Sequence, residues 1–329
     1  MNLLIDSFHR PIDYVRLSLI DRCNFQCFYC RPKKAEQTYF PNQQYLNQED
    51  IEKLFLILGK MGVTKVKLTG GEPLLRKDIC QIIKRLSKNP YLKDISLTTN
   101  GFFLETMVSS LKESGLHRIN VSLDTLHKDT FQEITQVPSF SKVWAGITKT
   151  LNVGFSKVKL NVVLMKGLND HEICDFVELS MNTPLMVRFI EFMPTKRTEL
   201  HHKKYFFSNQ EAILKIQEKY LLVPDLKERG TGPSRYYRVN GGKGHIGFIS
   251  PLSQHFCDRC NRIRLTAKGE LKLCLFSSDT IPLLSLIRSS DWESKLEIAF
   301  RENLKIKPFG HDLKNNIFGN VESFVSIGG

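Results

Sequence analysis

No stretch of this 329-residue sequence stays apolar for the roughly 18 residues that a membrane span needs. The N-terminus also lacks the basic-then-apolar pattern of a secretory signal, and it carries Asp6 and Asp13 early. A long block of Lys and Arg is missing, and so is a low-complexity tail. These absences weaken a membrane or nucleic-acid function, and we expect a cytoplasmic protein that binds neither.

Positive charge, in contrast, is in excess, with a formal net charge of +13. Such a balance suits an anionic partner: a nucleic acid, an acidic membrane surface or a polyphosphate substrate. Hydrophobic residues make up 41% of the chain, which is enough for a sizeable core. The length allows two domains, or one large barrel with an appendage.

The first cysteine triplet is the tightest motif, with Cys23, Cys27 and Cys30 spaced by three and two residues. Thiolates are the usual ligands of iron–sulfur clusters. Three of them hold three irons of a four-iron cluster and leave the fourth iron open to chelate a small molecule. The alternatives are three buried cysteines or a zinc site, but zinc normally takes four ligands and the nearest further candidate is His9. The spacing favours a 4Fe-4S cluster.

A second triplet consists of Cys257, Cys260 and Cys274, again without a fourth cysteine. It predicts a second 4Fe-4S cluster with an open iron. A Cys3His zinc site completed by His255 or His245 remains the alternative.

Two short motifs add ligand-binding chemistry. Arg262 and Arg264 alternate, so both guanidinium groups can face one way and grip a phosphate or a base edge. Residues 69–73 read Thr-Gly-Gly-Glu-Pro; the glycines allow a close backbone approach, and Glu72 can accept hydrogen bonds from an ammonium group.

Strand-like and helix-like stretches alternate six times up to residue 193, which predicts a parallel α/β sheet. Six units are two short of an eightfold barrel. We expect an open, partial β/α TIM-like barrel over residues 1–193 and a C-terminal α+β extension over 194–329, with a helix at 209–220 and a hairpin at 236–250. The predicted strands are 14–20, 64–69, 95–100, 118–124, 157–164 and 186–192, and the predicted helices are about 48–61, 76–88, 103–114, 127–134, 140–152 and 170–182.

The predicted strands alternate polar and apolar residues, whereas buried parallel strands normally read as continuous apolar runs. One whole face of the sheet is therefore polar. Because the helices cover the apolar face, the polar face is the lumen. An antiparallel sheet with one wet face is the alternative, and the intervening helices disfavour it. The predicted lumen carries Arg16, Lys65, Lys67, Lys159 and Arg188, a lining that suits a strongly anionic ligand.

Seven stretches, in order and over nearly the whole chain, resemble one family: both triplets, Lys-Leu-Thr-Gly-Gly-Glu-Pro, Thr-Thr-Asn-Gly, Asn-Val-Ser-Leu-Asp, Arg-Phe-Ile-Glu-Phe-Met and the Gly-Gly end. The first triplet resembles the radical S-adenosylmethionine (SAM) superfamily. The whole set resembles the GTP 3',8-cyclase family of molybdenum cofactor biosynthesis, which are lyases.

The resemblance implies two 4Fe-4S clusters and SAM as cofactors, with the first cluster on Cys23, Cys27 and Cys30 and the second on Cys257, Cys260 and Cys274. It implies SAM contacts at Tyr29, Gly71, Ser122 and Met193. It implies GTP contacts at Arg16, Lys67, Thr98, Lys159, Arg262, Ile263 and Arg264, and a catalytic role for the tail residues Gly328 and Gly329.

The implied reaction begins with reductive cleavage of SAM to a 5'-deoxyadenosyl radical, which removes the 3' hydrogen of GTP. Closure onto carbon 8 then leads to (8S)-3',8-cyclo-7,8-dihydroguanosine 5'-triphosphate. The implied partners are GTP, an electron donor, the next enzyme of molybdopterin synthesis and a second copy in a homodimer. One departure is Lys67, where the family generally has Arg, so the bidentate fork is lost but the charge is kept.

Two other functions fit parts of the sequence. A peptide-modifying maturase with two clusters usually carries a longer, more cysteine-rich C-terminal region, whereas only three cysteines follow residue 250 here. A basic metal-binding module for nucleic acid predicts zinc, a steep salt dependence of binding and no polar lumen.

Overall fold

A computed structural model of the chain describes residues 3–31, 45–226, 228, 232–277, 279–311, 321 and 323–325. Six strands and six helices follow one another up to residue 191, and all twelve predicted elements are confirmed to within three residues at each end. The strands are β1 (Tyr14–Ser18), β2 (Lys65–Thr69), β3 (Asp94–Thr99), β4 (Arg118–Ser122), β5 (Val158–Leu164) and β6 (Met186–Glu191). The helices are α1 (Gln48–Lys60), α2 (Ile79–Ser87), α3 (Leu104–Glu113), α4 (Lys128–Thr135), α5 (Phe140–Asn152) and α6 (Ile173–Asn182).

The C-terminal region adds six strands and four helices to the described part of the chain. The predicted helix is α8 (Asn209–Gln217), and the predicted hairpin is β8 (Arg235–Val239) with β9 (His245–Ile249), which pair antiparallel. Helix α7 (Glu199–Tyr205) lies in a polar stretch for which the sequence predicted no element. These elements are α7 (Glu199–Tyr205), α8 (Asn209–Gln217), β7 (Leu222–Pro224), β8 (Arg235–Val239), β9 (His245–Ile249), β10 (Arg262–Leu265), β11 (Glu270–Lys272), β12 (Ile281–Pro282), α9 (Leu284–Ile287) and α10 (Trp292–Leu304).

All twelve strands belong to one sheet with the order β12-β11-β10-β1-β2-β3-β4-β5-β6-β9-β8-β7. The C-terminal strands β10 and β9 pair in parallel with β1 and β6. Eight neighbouring strands are therefore parallel, not the six that the sequence predicted. In the described residues no pairing joins β12 to β7, so the barrel is open, as predicted.

The two faces of the sheet differ as the alternation predicted. Val15, Leu17, Val66 and Leu68 are fully buried in the main apolar core that the sheet shares with the helices. The residues between them in sequence face the lumen. No helix in the described segments is long and apolar enough to cross a membrane.

Helix α1 shows how local sequence fixes an element. The side chain of Asn47 accepts the backbone N–H of Asp50 at 2.8 Å, and the Asp50 carboxylate accepts the backbone N–H of Asn47 at 3.0 Å. This capping box satisfies donors that the first helical turn leaves free. The helix therefore begins at Gln48.

Candidate active site

The first triplet lies in the loop that follows the C-terminal end of β1. The loop closes on itself, because the backbone N–H groups of Cys30 and Arg31 both donate to the carbonyl of Cys27, at 3.0 and 2.8 Å. Burial raises the pKa of Cys23 to about 11 and that of Cys30 to about 12. Burial and the neighbouring Cys30 also raise the pKa of Cys27 well above its usual value. Three thiolates are therefore stable here only beside positive charge, which the irons of a cluster supply.

The Gly-Gly turn at the end of β2 packs against this loop. The N–H of Gly71 donates to the carbonyl of Ile20 at 2.7 Å, and the N–H of Glu72 donates to that of Arg22 at 2.7 Å. A Cβ at Gly71 would lie 2.1 Å from the Arg22 carbonyl oxygen. Gly71 is thus required by the protein's own backbone, and it holds the turn beside the cysteines.

Glu72 does not have the role that the sequence suggested. Its side chain is fully buried, where it accepts the Thr99 hydroxyl at 2.7 Å and the backbone N–H groups of Leu74 and Asn100 at 3.0 and 2.7 Å. Burial raises its pKa to about 7 even though these hydrogen bonds lower it. The carboxylate tethers the end of β3 and is not free for a ligand ammonium. The tether brings the Asn100 amide to 3.8 Å from the sulfur of Cys23.

Tyr29 and Ser122 lie together beside the first triplet. The Tyr29 hydroxyl donates to Asp124 at 2.6 Å, and Asp124 also accepts the backbone N–H of Val163 at 2.9 Å. A small cavity next to this pair is lined by Cys27, Tyr29, Ser122 and Asp124 among others. Burial raises the pKa of Asp124 to about 6. Asp124 was not among the predicted site residues, although its place on the polar face was a sequence signal for such a role.

Three cations lie side by side in the lumen. In the strand register Arg16 of β1 is opposite Lys67 of β2 on one side and opposite Arg264 of β10 on the other. Like charges placed directly opposite destabilise a sheet. Lys67 is 9% exposed and makes no hydrogen bond or ion pair in the described part of the chain. Burial and the charges of Arg188 and Arg16 lower its pKa well below the usual value.

A second group of lumen cations lies on β5 and β6. Lys159 donates to the Tyr236 hydroxyl at 2.8 Å, and Arg188 donates to the amide oxygens of Asn120 and Asn161. Neither cation pairs with a carboxylate in the described residues. Burial would raise the pKa of Tyr236, but the charges of Arg188 and Lys159 lower it to about 8. Tyr236 was missed because one aromatic residue in a short strand carries no functional signal.

The other predicted GTP contacts fall into different surroundings. The hydroxyl of Thr98 is buried and has no hydrogen-bond partner among the described residues, which leaves a polar group for a ligand to satisfy. The side chain of Ile263 is fully buried in the apolar core, so only its backbone can face a ligand. Lys65, predicted as a lumen cation, forms an ion pair with Asp13 at 2.7 Å.

The second triplet lies around the start of β10 and the end of β11. Cys257 opens a short 3-10 turn (Cys257–Arg259), Cys260 precedes β10, and Cys274 follows β11. The Lys307 ammonium lies 3.9 Å from the sulfur of Cys260. Burial would raise the pKa of Cys260, but the charges of Arg262 and Lys307 lower it. This thiolate is thus stabilised by cations from two different elements.

The distances between the cysteine sulfurs distinguish a site for an iron–sulfur cluster from a site for a zinc ion. Zinc–sulfur bonds of about 2.3 Å in a tetrahedron place the sulfurs about 3.8 Å apart. Among the described residues, neither triplet has all three sulfurs within 4.8 Å of one another. Nε2 of His245, one candidate fourth zinc ligand, lies 3.0 Å from Oδ2 of Asp225. Both triplets therefore fit a multi-iron cluster better than one zinc ion.

The two triplets lie at opposite ends of the lumen. The first follows the C-terminal end of β1, whereas Cys257 and Cys260 precede the N-terminal end of β10, which runs parallel to β1. The lumen cations lie on the strands between the two triplets. A ligand held by those cations lies between the two metal sites.

This fold, with a cysteine triplet after the first barrel strand, defines a radical SAM protein. Residues 17–180 match the family described as the Radical SAM superfamily, and residues 185–313 match Molybdenum Cofactor Synthesis C. Among solved structures, Streptococcus suis SuiB bound to S-adenosylmethionine shares the fold, with a TM-score of 0.61 and 14% identity over 90% of this chain and 68% of that chain.

Curated relatives give the family. The GTP 3',8-cyclase of Syntrophomonas wolfei is 40% identical over 328 residues, which are 99% of this chain and 100% of that one. The GTP 3',8-cyclase of Alkaliphilus metalliredigens is 42% identical over 327 residues, 98% and 99% of the two chains. The chain belongs to the GTP 3',8-cyclase family, which confirms the resemblance carried by its motifs.

Met193 packs with one cysteine from each triplet. Phe276, Val321 and Phe324 form a small apolar cluster against which Met193, Cys30 and Cys274 pack. The predicted tail residues Gly328 and Gly329 lie outside the described residues.

Proposed function

We propose that this chain is a GTP 3',8-cyclase that uses SAM and two 4Fe-4S clusters. The observation that carries the proposal is that Lys67, Lys159 and Arg188 lie buried between two cysteine triplets and pair with no carboxylate in the described residues. The family to which the chain belongs supplies the reaction: formation of (8S)-3',8-cyclo-7,8-dihydroguanosine 5'-triphosphate from GTP, the first step of molybdenum cofactor biosynthesis.

Cys23, Cys27 and Cys30 would hold the first cluster, and Cys257, Cys260 and Cys274 the second. When bound, the first cluster supplies the electron that cleaves SAM, and the second supplies an open iron on the substrate side. Tyr29, Gly71, Ser122 and Met193 are proposed to surround SAM. Gly71 allows the turn to pack closely against the cysteine loop. The hydroxyl of Tyr29 donates to Asp124, and this hydrogen bond fixes the position of the Tyr29 ring.

The lumen is proposed to bind GTP through charge. Arg16, Lys67, Lys159, Arg262 and Arg264 supply cations, Thr98 a hydroxyl and Ile263 its backbone. A triphosphate needs several charge-assisted hydrogen bonds, and it would relieve the repulsion among these cations. Since Lys67 and the hydroxyl of Thr98 have no partner in the described residues, both are available to a ligand.

The order of the motifs along the chain supports two regions with different functions. Residues 1–193 would form the SAM-cleaving barrel, and residues 194–329 would bring the second cluster and the tail. The hydroxyl of Ser323 donates to the carbonyl of Cys30 at 2.7 Å, so the chain is anchored at the first triplet only a few residues before Gly328 and Gly329. The further proposed partners are an electron donor, the next enzyme of the pathway and a second copy of the chain.

The test is metal content followed by turnover. After anaerobic reconstitution we expect about eight irons and no zinc per chain. SAM and GTP with a reductant should then give 5'-deoxyadenosine at a rate that depends on GTP, together with the cyclised nucleotide. About four irons with one zinc would remove the second cluster, and 5'-deoxyadenosine that forms equally well with GTP and with ATP would contradict GTP as the substrate.

A further inference from the structure

A third group of metal-ligating side chains lies apart from both triplets. His127, His171 and Glu172 each bring one ligand atom within 4.8 Å of the other two. No other trio of His, Cys, Asp or Glu in the described segments comes as close. His127 precedes α4, and the other two residues lie in the 3-10 turn (Asp170–Glu172) that leads into α6.

The carboxylate of this group is held rigidly. Glu172 is fully buried and accepts the Thr125 hydroxyl at 2.5 Å and the backbone N–H of Leu126 at 2.6 Å. A carboxylate offers about four lone-pair positions, so these two bonds leave room for a metal. The exposed rings of His127 and His171 stack on each other with centroids 6.2 Å apart.

Electrostatics at Glu172 also favours a cation. This carboxylate makes no ion pair with Lys or Arg in the described chain, and Nε2 of His127 lies 4.0 Å from one of its oxygens. Lys215 donates to the backbone carbonyl of Asp170 at 2.7 Å and lies 4.0 Å from the Asp170 carboxylate, so it interacts with Asp170. Burial raises the pKa of Asp124, a second buried carboxylate, and the negative charge of Glu172 raises it further. Two buried carboxylates without a compensating cation are costly, and a divalent ion would offset that cost.

We propose that His127, His171 and Glu172 form a binding site for a divalent transition-metal ion of the zinc type. Two imidazoles and a carboxylate are a common donor set for Zn²⁺, with water or a further ligand completing the tetrahedron. The ion would tie the turn after β4 to the turn before α6. Because the turn after β4 begins at Asp124, which bonds Tyr29, the ion would reinforce the SAM side of the lumen without taking part in the reaction.

The test uses the reconstituted holoenzyme, so that both cysteine triplets are filled. Iron and sulfide are measured, the protein is dialysed against micromolar Zn²⁺, and bound zinc is counted by mass spectrometry. X-ray absorption at the zinc edge then identifies the ligands. We expect one zinc per chain with nitrogen and oxygen ligands at about 2.0–2.1 Å, and unchanged iron.

The variants His127→Ala and His171→Ala should each weaken zinc binding at least about tenfold, since even groups that only support a ligand are worth about 10- to 100-fold. Both side chains are exposed, so the fold and the iron content should stay intact. His9→Asn is the matched control, because it removes an exposed imidazole outside the group, at a left-handed position that Asn tolerates. Zinc with sulfur ligands near 2.3 Å, no bound zinc, or equal affinity in all three variants would overturn the proposal.

Discussion

At the scale of single residues, the lumen holds several cations that the described protein does not neutralise. Lys67, Lys159 and Arg188 are all under 10% exposed and lack carboxylate partners in the described residues. Burial and mutual repulsion lower the pKa values of both Lys67 and Lys159. Groups placed against their own electrostatic preference mark a functional site, and here they mark one for an anion.

Lys159→Ala should weaken GTP binding because it removes one cation from the proposed triphosphate site. A hydrogen bond to a charged group is worth about 1.5–3 kcal/mol, so the Kd for GTP should rise about 10- to 100-fold. Calorimetry under anaerobic conditions measures this, and SAM cleavage without GTP should not change. The control is Lys149→Ala, which removes an exposed lysine from α5. An unchanged Kd in Lys159→Ala would contradict the assignment of the lumen.

Tyr236→Phe should change how GTP binding depends on pH. The pKa of Tyr236 is about 8, so above pH 8 its hydroxyl becomes a phenolate that neutralises the neighbouring Lys159. GTP affinity of the unaltered protein should therefore fall as the pH rises from 7 to 9. The Phe variant should show a shallower fall over the same range, and equal slopes would show that the phenol does not control the site.

Much of this residue-scale arrangement could be predicted from the sequence. The alternation in β1, β2 and β5 predicted which face carries Arg16, Lys67 and Lys159. It could not predict that Lys65 turns to Asp13 or that Tyr236 reaches Lys159, because both depend on side-chain direction and on distant parts of the chain. Glu72 was misread for the same reason: the Thr99 hydroxyl that occupies it comes from the next strand.

At the scale of elements, buried glutamates hold the loops at the C-terminal end of the barrel. Glu72, Glu172 and Glu191 are all fully buried. Each accepts a Ser or Thr hydroxyl and at least one backbone N–H from another segment of the chain. Such charge-assisted bonds are stronger than neutral ones, so loops without regular structure are fixed in place. The site can thus be built on loops and still keep its geometry.

Gly71→Ala should damage the first cluster selectively. A Cβ there would lie 2.1 Å from the Arg22 carbonyl, so the turn or the cysteine loop must shift. Iron after reconstitution should fall from about eight to about four per chain, with the second cluster retained. Gly232→Ala is the matched control, since a Cβ at Gly232 meets no atom within 4 Å. If Gly71→Ala kept all eight irons and full SAM cleavage, the tight approach would have no role in the site.

At the scale of the whole molecule, the C-terminal region completes the sheet from both sides. Strand β9 extends it beyond β6 and β10 extends it beyond β1, although β9 and β10 are close in sequence. The six-unit pattern up to residue 193 was predictable because each unit is local. The pairing of β10 with β1 joins residues about 250 positions apart and leaves no local pattern, so the eighth parallel strand could not be predicted.

Cys274→Ala should impair the cluster site at one end of the lumen and leave the site at the other end working. The variant removes one ligand of the second triplet and none of the first, so about four irons and SAM cleavage without GTP should remain. GTP affinity and cyclisation should fall. Cys174→Ala, in α6 outside both triplets, should keep about eight irons. Loss of all iron in Cys274→Ala would mean that the two sites do not assemble independently.

The close packing of the lumen cations also has a consequence for thermodynamic stability. Packing like charges together raises the free energy of the folded state, so the protein without nucleotide is less stable than its core alone would make it. A bound polyphosphate offsets this penalty only in the folded chain. At a free concentration one hundred times its Kd, such a ligand adds about 2.7 kcal/mol to the free energy of unfolding. The resistance of the chain to unfolding and proteolysis should therefore rise and fall with the nucleotide supply of the cell.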